Sequence, residues 1–178
     1  MKKFFTAFLI VLCSFSLVAC GNFSSREPGK TIKVGATPTP HAEILNYVKP
    51  ILAKENINLV IIESNDYIRP NLALADKELD ANFYQHIPYL DKFNAERNLN
   101  LVKISSIHFE PMGIYSNRFN KLSELPEKSS IAIPNDPTNA ARALVLLAKA
   151  GLIELNEKSG IATTKDDIIS NPKNLDIR

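Results

Sequence analysis

The chain has 178 residues, with 21 lysines and arginines against 19 aspartates and glutamates, and two cysteines. Two of the basic residues, Lys2 and Lys3, belong to the N-terminal head; the charge on the rest balances, which argues against nucleic acid as a partner. Cys13 lies within the N-terminal apolar run and Cys20 just after it, so no disulfide is expected and the body must hold its fold by packing.

The N-terminus comes first in chain order. Lys2 and Lys3 precede an apolar stretch from Phe4 to Val18, interrupted only by Thr6, Ser14 and Ser16. A basic head, an apolar middle and a small residue before the cut describe a secretory signal, and the run is shorter than the roughly 20 residues of a spanning helix. Leu17-Val18-Ala19-Cys20 resembles the bacterial lipobox, in which the cysteine is acylated and becomes the first residue after cleavage. Residues 1–19 are therefore expected to be a lipoprotein signal peptide and Cys20 the lipid attachment site. Two or more acyl chains would hold the protein to a membrane, outside the cytoplasm. Gly21 to Lys30 is polar and rich in breakers, as suits a tether over 20–30.

The next stretch alternates. Thr31 to Gly35 reads as a strand. Pro40 at a first helical position leads into Ile44, Leu45, Val48, Ile51 and Leu52 at helical spacing. Asn58 to Glu63 is a β-branched run of the kind buried in a parallel sheet. Asn71 to Leu79 reads as a helix, Ala81 to Gln85 as a strand, Pro88 to Leu99 as a helix, and Leu101 to Ile107 as a strand.

From Pro111 the alternation restarts, with Gly113 to Ser116 extended, a turn at Leu125-Pro126, and Ser130 to Ile133 as a strand. Asp136 and Pro137 open a helix that Gly151 closes, apolar nearly all round and so expected between other layers. Thr164 and Asp167 have capping-box spacing for a short helix to Ser170, and Asn174 to Arg178 begins a strand. Alternating strands and helices imply an open α/β sheet built from parallel units. The chain stops partway through that last strand-like segment, so it is expected to be incomplete.

Conventional catalytic signatures are missing: no Gly-x-Ser-x-Gly, no His-Glu-x-x-His, no Walker loop and no Gly-x-Gly-x-x-Gly. His41, His86 and His108 are scattered and lack the spacing of helical metal ligands, so no metal site is expected. A different group draws attention. Tyr67 follows the second core strand, at the end where open α/β sheets place ligands. Tyr84 and His86 would share one face of an extended segment, with Tyr89 on the helical turn beyond. Together these four would line one wall with apolar faces and polar tips; filling the core is the equally weighted ordinary explanation. Arg142, in the second turn of the helix after Asp136, offers bidentate binding to a carboxylate. Its bland alternative is a solvated face shared with Lys149.

Taken together, several blocks resemble the NlpA/MetQ family of methionine-binding lipoproteins: Val34 to Leu45, Asn65-Asp66-Tyr67, Leu79 to Leu90, Ile131 to Asn139 with Arg142, and Asn171 to Leu175. The resemblance implies an α/β fold of the two-lobed type II periplasmic-binding-protein kind, closing on ligand at a hinge, with lobe 1 at 31–109 and an incomplete lobe 2 at 110–178. It implies a binding protein and not an enzyme, with methionine as ligand, no cofactor, and the permease and ATPase of an ABC importer as partners. Carried over by residue, Tyr67, Tyr84, His86 and Tyr89 would line the methionine site, Arg142 would hold the α-carboxylate, and Asn139 would stand nearby. Rings suit a thioether, because sulfur packs well near ring edges. The family usually has Phe where Tyr84 stands, so this hydroxyl needs a partner or water. Family members also continue well past Leu175, so the chain is expected to be a fragment, a disrupted reading frame, or one of two separately made pieces. The competing class is a non-transporting surface lipoprotein, an adhesin or scaffold on an inherited fold, or an inactive fragment of the binding protein.

Overall fold

The computed structural model describes residues 29–156 and 160–178; the expected signal peptide, Cys20 and the expected tether up to residue 28 lie outside the described residues. The described chain forms two compact units, one running to Tyr84 and the other from Gln85 to Arg178.

The first unit is a three-stranded parallel sheet with helices after its strands. Strand β1 (Lys30–Ala36) lies in the centre, between β2 (Ile57–Glu63) and β3 (Ala81–Phe83). Val34 pairs with Ile61 on one side and Ala81 on the other. Val34, Ala36, Leu59 and Leu79 are buried. The β-branched run of β2, expected to be buried in a parallel sheet, does pair in parallel with β1 and buries Leu59, but it stands at the sheet's edge and Ile62 is 46% exposed.

Helix α1 (Glu43–Lys54) starts three residues later than the apolar spacing suggests. Pro38–Ala42 instead forms a separate turn in which Thr39 is extended and the Thr39–Pro40 peptide is cis. An extended residue cannot continue a helical ladder, so the helix starts beyond it. Helix α2 (Arg69–Ala75) follows β2, with Pro70 in its first turn, where a missing N–H costs nothing.

The second unit begins with α3 (Ile87–Arg97), capped by His86 and stopped by the left-handed Asn98. Strand β4 (Ser130–Ile131) then precedes α4 (Pro137–Lys149). Asp136 caps α4 as its sequence indicates, and Gly151 leaves it at φ +72°. Further on come β5 (Glu154–Leu155), β6 (Ile168–Ser170) and β7 (Asp176–Ile177). Strands β4 and β7 pair in parallel, β5 and β6 antiparallel. Leu144, Leu147, Leu152, Ile153 and Leu175 form the core, with Ile131, Ile133 and Ile177 packed around it. Helix α4 is buried on most sides, and only its first and last residues are exposed.

Two expected elements differ. Leu101–Ile107 and Gly113–Ser116 take no strand assignment, and Val102, Ile104 and Ile107 are exposed. A strand exists only with a partner to share its ladder, and among the described residues these segments have none. Thr164 and Asp167 do form the capping box, yet the turn Lys165–Asp167 is one 3-10 turn and Ile168–Ser170 is strand, not helix. The β-branched Ile168 and Ile169 suit pairing with β5 better than a second helical turn.

Candidate functional site

The sequence-derived site residues form two clusters, one within each unit. In the first unit, β2 ends at Glu63 and the chain turns through Ser64-Asn65-Asp66. Asp66 Oδ1 accepts from the backbone N–H groups of Ile68 and Arg69, both at 2.7 Å. These bonds hold the Asp66 carboxyl below the usual carboxylate range and shape the loop that presents Tyr67, which is 46% exposed. Tyr84 stands one residue beyond β3. Its hydroxyl donates to the carbonyl oxygen of Tyr67 at 2.8 Å, and the two rings lie 5.8 Å apart at 48°. The extra hydroxyl therefore has a partner within the unit.

Strand β3 is itself tied down. Asn82 Nδ2 donates to the carbonyl of Pro70 and to Oδ1 of the fully buried Asn71, at 3.2 and 2.8 Å. His41, on the same unit, is a core histidine: Thr37 Oγ1 lies 2.6 Å from its Nδ1 and its ring meets Phe83 edge-on.

The second cluster gathers His86, Tyr89, Asn139 and Arg142. The backbone N–H of Tyr89 donates to His86 Nδ1 at 3.1 Å, which caps α3. The rings of His86 and Tyr89 are 6.4 Å apart. His86 Nε2 lies 2.9 Å from Asn139 Oδ1, and Arg142 Nη1 donates to that same oxygen at 2.7 Å. The second terminal nitrogen of Arg142 donates to the carbonyl oxygen of Glu110 at 3.0 Å.

Donor and acceptor roles follow from chemistry. A guanidinium only donates, so the Asn139 atom facing it must be the amide oxygen. The amide nitrogen then faces Asp136 Oδ2, at 3.0 Å. Because His86 Nδ1 accepts from Tyr89, the ring proton sits on Nε2 and donates to Asn139. Asp136 also accepts from Thr138 Oγ1 and the Asn139 N–H through Oδ1. Burial pushes the Asp136 carboxyl up, but the hydrogen bonds from Asn139 and Thr138, with His86 nearby, outweigh it and hold the group below the usual carboxylate range.

Arg142 is thus half-buried and braced, whereas Lys149 is exposed, so the two do not behave as one solvated face. The two bonds above occupy two of the five guanidinium N–H groups, and the other three have no hydrogen-bond partner among the described residues. Asp136 had a signal in the sequence only as a helix cap, and the Glu110 carbonyl had none.

His108 Nε2 pairs with Glu110 Oε1 at 2.6 Å, on the exposed surface of the second unit. Within neither unit taken by itself do three metal-ligating side chains gather among the described residues. A groove of about 900 Å³ in the second unit, lined by Ile114, Phe119, Leu125, Ile131 and Leu146 among others, includes none of the candidate site residues. No helix among the described residues is long and apolar enough to cross a membrane.

Comparison with known proteins gives these clusters a setting. A family model described as NlpA lipoprotein matches residues 32–178. The methionine-binding lipoprotein MetQ of Bacillus subtilis is 41% identical over all of this chain, which spans 66% of that protein. The D-methionine-binding lipoprotein MetQ of Escherichia coli is 37% identical over 98% of this chain, and 64% of its own length is matched. Among solved structures, a nutrient binding protein from Burkholderia cenocepacia bound to methionine is 41% identical, with a TM-score of 0.78 over 82% of this chain and 62% of that one. The chain thus spans about two thirds of the length of these relatives and has the mixed α/β architecture of binding proteins of this kind.

Proposed function

Because the chain belongs to the NlpA lipoprotein family, we propose that it is the lipid-anchored binding component of an ABC importer, taking methionine outside the cytoplasm and delivering it to the permease and its ATPase. The family is one of substrate-binding lipoproteins and not of enzymes. The two relatives named for methionine and the Burkholderia structure bound to it support methionine as the ligand. In this reading Cys20 carries the lipid, residues 1–19 are removed, and 20–30 is the tether. Lobe 1 covers 31–109 and lobe 2 covers 110–178.

The observation that carries the proposal is the braced guanidinium of Arg142, fixed at one terminal nitrogen by Asn139 and at the other by the Glu110 carbonyl. A pre-oriented guanidinium loses little freedom on meeting a carboxylate, which favours binding. The α-carboxylate of methionine would take its open N–H groups, with Asn139 alongside. Tyr67, Tyr84, His86 and Tyr89 would supply the rings for the thioether and side chain.

Isothermal titration with L- and D-methionine tests this. The chain should release heat with at least one enantiomer, and Arg142→Ala should abolish it. Silence with both, together with heat from another amino acid or a short peptide, would overturn the assignment.

A further inference from the structure

We propose that Asp136 is the positioning residue for Arg142 and His86, acting through the amide of Asn139. The proposal rests on the reading of Arg142 as the carboxylate-binding group only for its effect on ligand; the positioning itself stands on the geometry. Asp136 Oδ2 accepts from Asn139 Nδ2 at 3.0 Å, and an ionised carboxylate cannot donate in return. That one bond decides which way the amide faces. With its nitrogen held by Asp136, Asn139 must turn its oxygen the other way, where Arg142 Nη1 and His86 Nε2 converge at 2.7 and 2.9 Å.

An amide oxygen has two lone pairs, and these two donors fill them. Asn139 therefore has little acceptor capacity left for a ligand, and its work is to hold its neighbours. One neighbour comes from its own helix, three residues on, and the other from a residue 53 positions earlier that caps α3. Asp136 thereby registers the starts of α3 and α4 against each other while it sets the plane of the guanidinium.

The prediction is sharpest in Asp136→Asn. The helix cap survives, because Asn caps as well as Asp. The second cap oxygen becomes an NH2 group, however, and faces the NH2 of Asn139, donor against donor. Turning the Asn139 amide over only moves the conflict to Arg142 and His86. The double variant Asp136→Asn with Asn139→Asp removes it: the new amide donates to one carboxylate oxygen at 139, and the other oxygen accepts from Arg142 and His86. Asp136→Ser reaches the same loss by a separate route, keeping one cap oxygen and deleting the other.

Nitrogen-edited NMR of the full chain reads the Nε2–H proton of His86 and the Nη protons of Arg142, with circular dichroism confirming the fold. In the unsubstituted chain both sets should be protected from exchange with water. They should be lost in Asp136→Asn and Asp136→Ser and return in the double variant. Protection that persists in the single variants, or fails to return in the double, overturns the proposal. Titration with methionine forms the second arm: affinity should fall about tenfold or more in Asp136→Asn, the usual scale for a lost bond to a charged group, and an unchanged affinity would overturn the coupling to Arg142. If the unsubstituted chain binds no methionine, the functional reading fails while the NMR arm still decides the positioning.

Discussion

The Asp136 carboxylate links a local capping rule to acid stability. Its hydrogen bonds hold the folded-state group below the ordinary value of 3.8, so it is a carboxylate that folding stabilises in its charged form. The sign follows: its contribution is fully present above pH 3.8 and is lost as the pH falls through the lower folded value. Urea unfolding across the acid range should show stability dropping below pH 3.8 in the unsubstituted chain and a shallower drop in Asp136→Asn. Tyr84 makes the opposite case, a bond of small consequence. Its hydroxyl donates to an exposed turn at Tyr67, so Tyr84→Phe should lower unfolding stability by about 1 kcal/mol or less. At this scale the residue types were legible from sequence, since a guanidinium, an imidazole and tyrosines each announce a chemistry. Their partners were not. Nothing in a string of residues says that His86 and Asn139 will meet.

Helix α4 is the element that local rules specify most fully. Asp136 caps it, Pro137 opens it, and Leu144 and Leu147 place its inner face in the core. Gly151 then leaves in the left-handed region, with no atom within 4 Å of where a Cβ would stand. Gly151→Ala should therefore cost about 1 kcal/mol, from backbone strain alone, and thermal unfolding should show the loss without any change in spectroscopic helix content. Elements that depend on partners fared less well. Leu101–Ile107 carries a strand-like pattern, yet a pattern supplies only half of a ladder. Ile168–Ser170 was expected in a helix because its cap was read correctly, and then β5 claimed the residues that follow the cap.

For the molecule as a whole, alternation of strands and helices was enough to give an α/β class with parallel pairing, and both sheets that contain β1 and β4 are parallel. The lipid anchor proposed at Cys20 belongs at this scale too, because it would decide where the entire body is held. Intact mass of the membrane-extracted protein should correspond to loss of residues 1–19 and an acyl-bearing Cys20, and Cys20→Ser should abolish the lipid mass. A mass that retains the signal segment, or lacks lipid, would remove the anchor from the proposed function.

By itself the sequence determined what depends on near neighbours: the caps of Asp136 and Gly151, the helical and strand periods, and the blocks that carry the family resemblance. The tertiary structure decided what depends on distant ones. It placed β1 at the centre and β2 at an edge, joined the hydroxyl of Tyr84 to Tyr67, and turned the Asn139 amide so that one oxygen serves both Arg142 and His86. The physical reason is the range of the forces. Backbone preferences and caps act within a turn or two, whereas hydrogen-bond partners and strand order are chosen only when burial brings remote segments together.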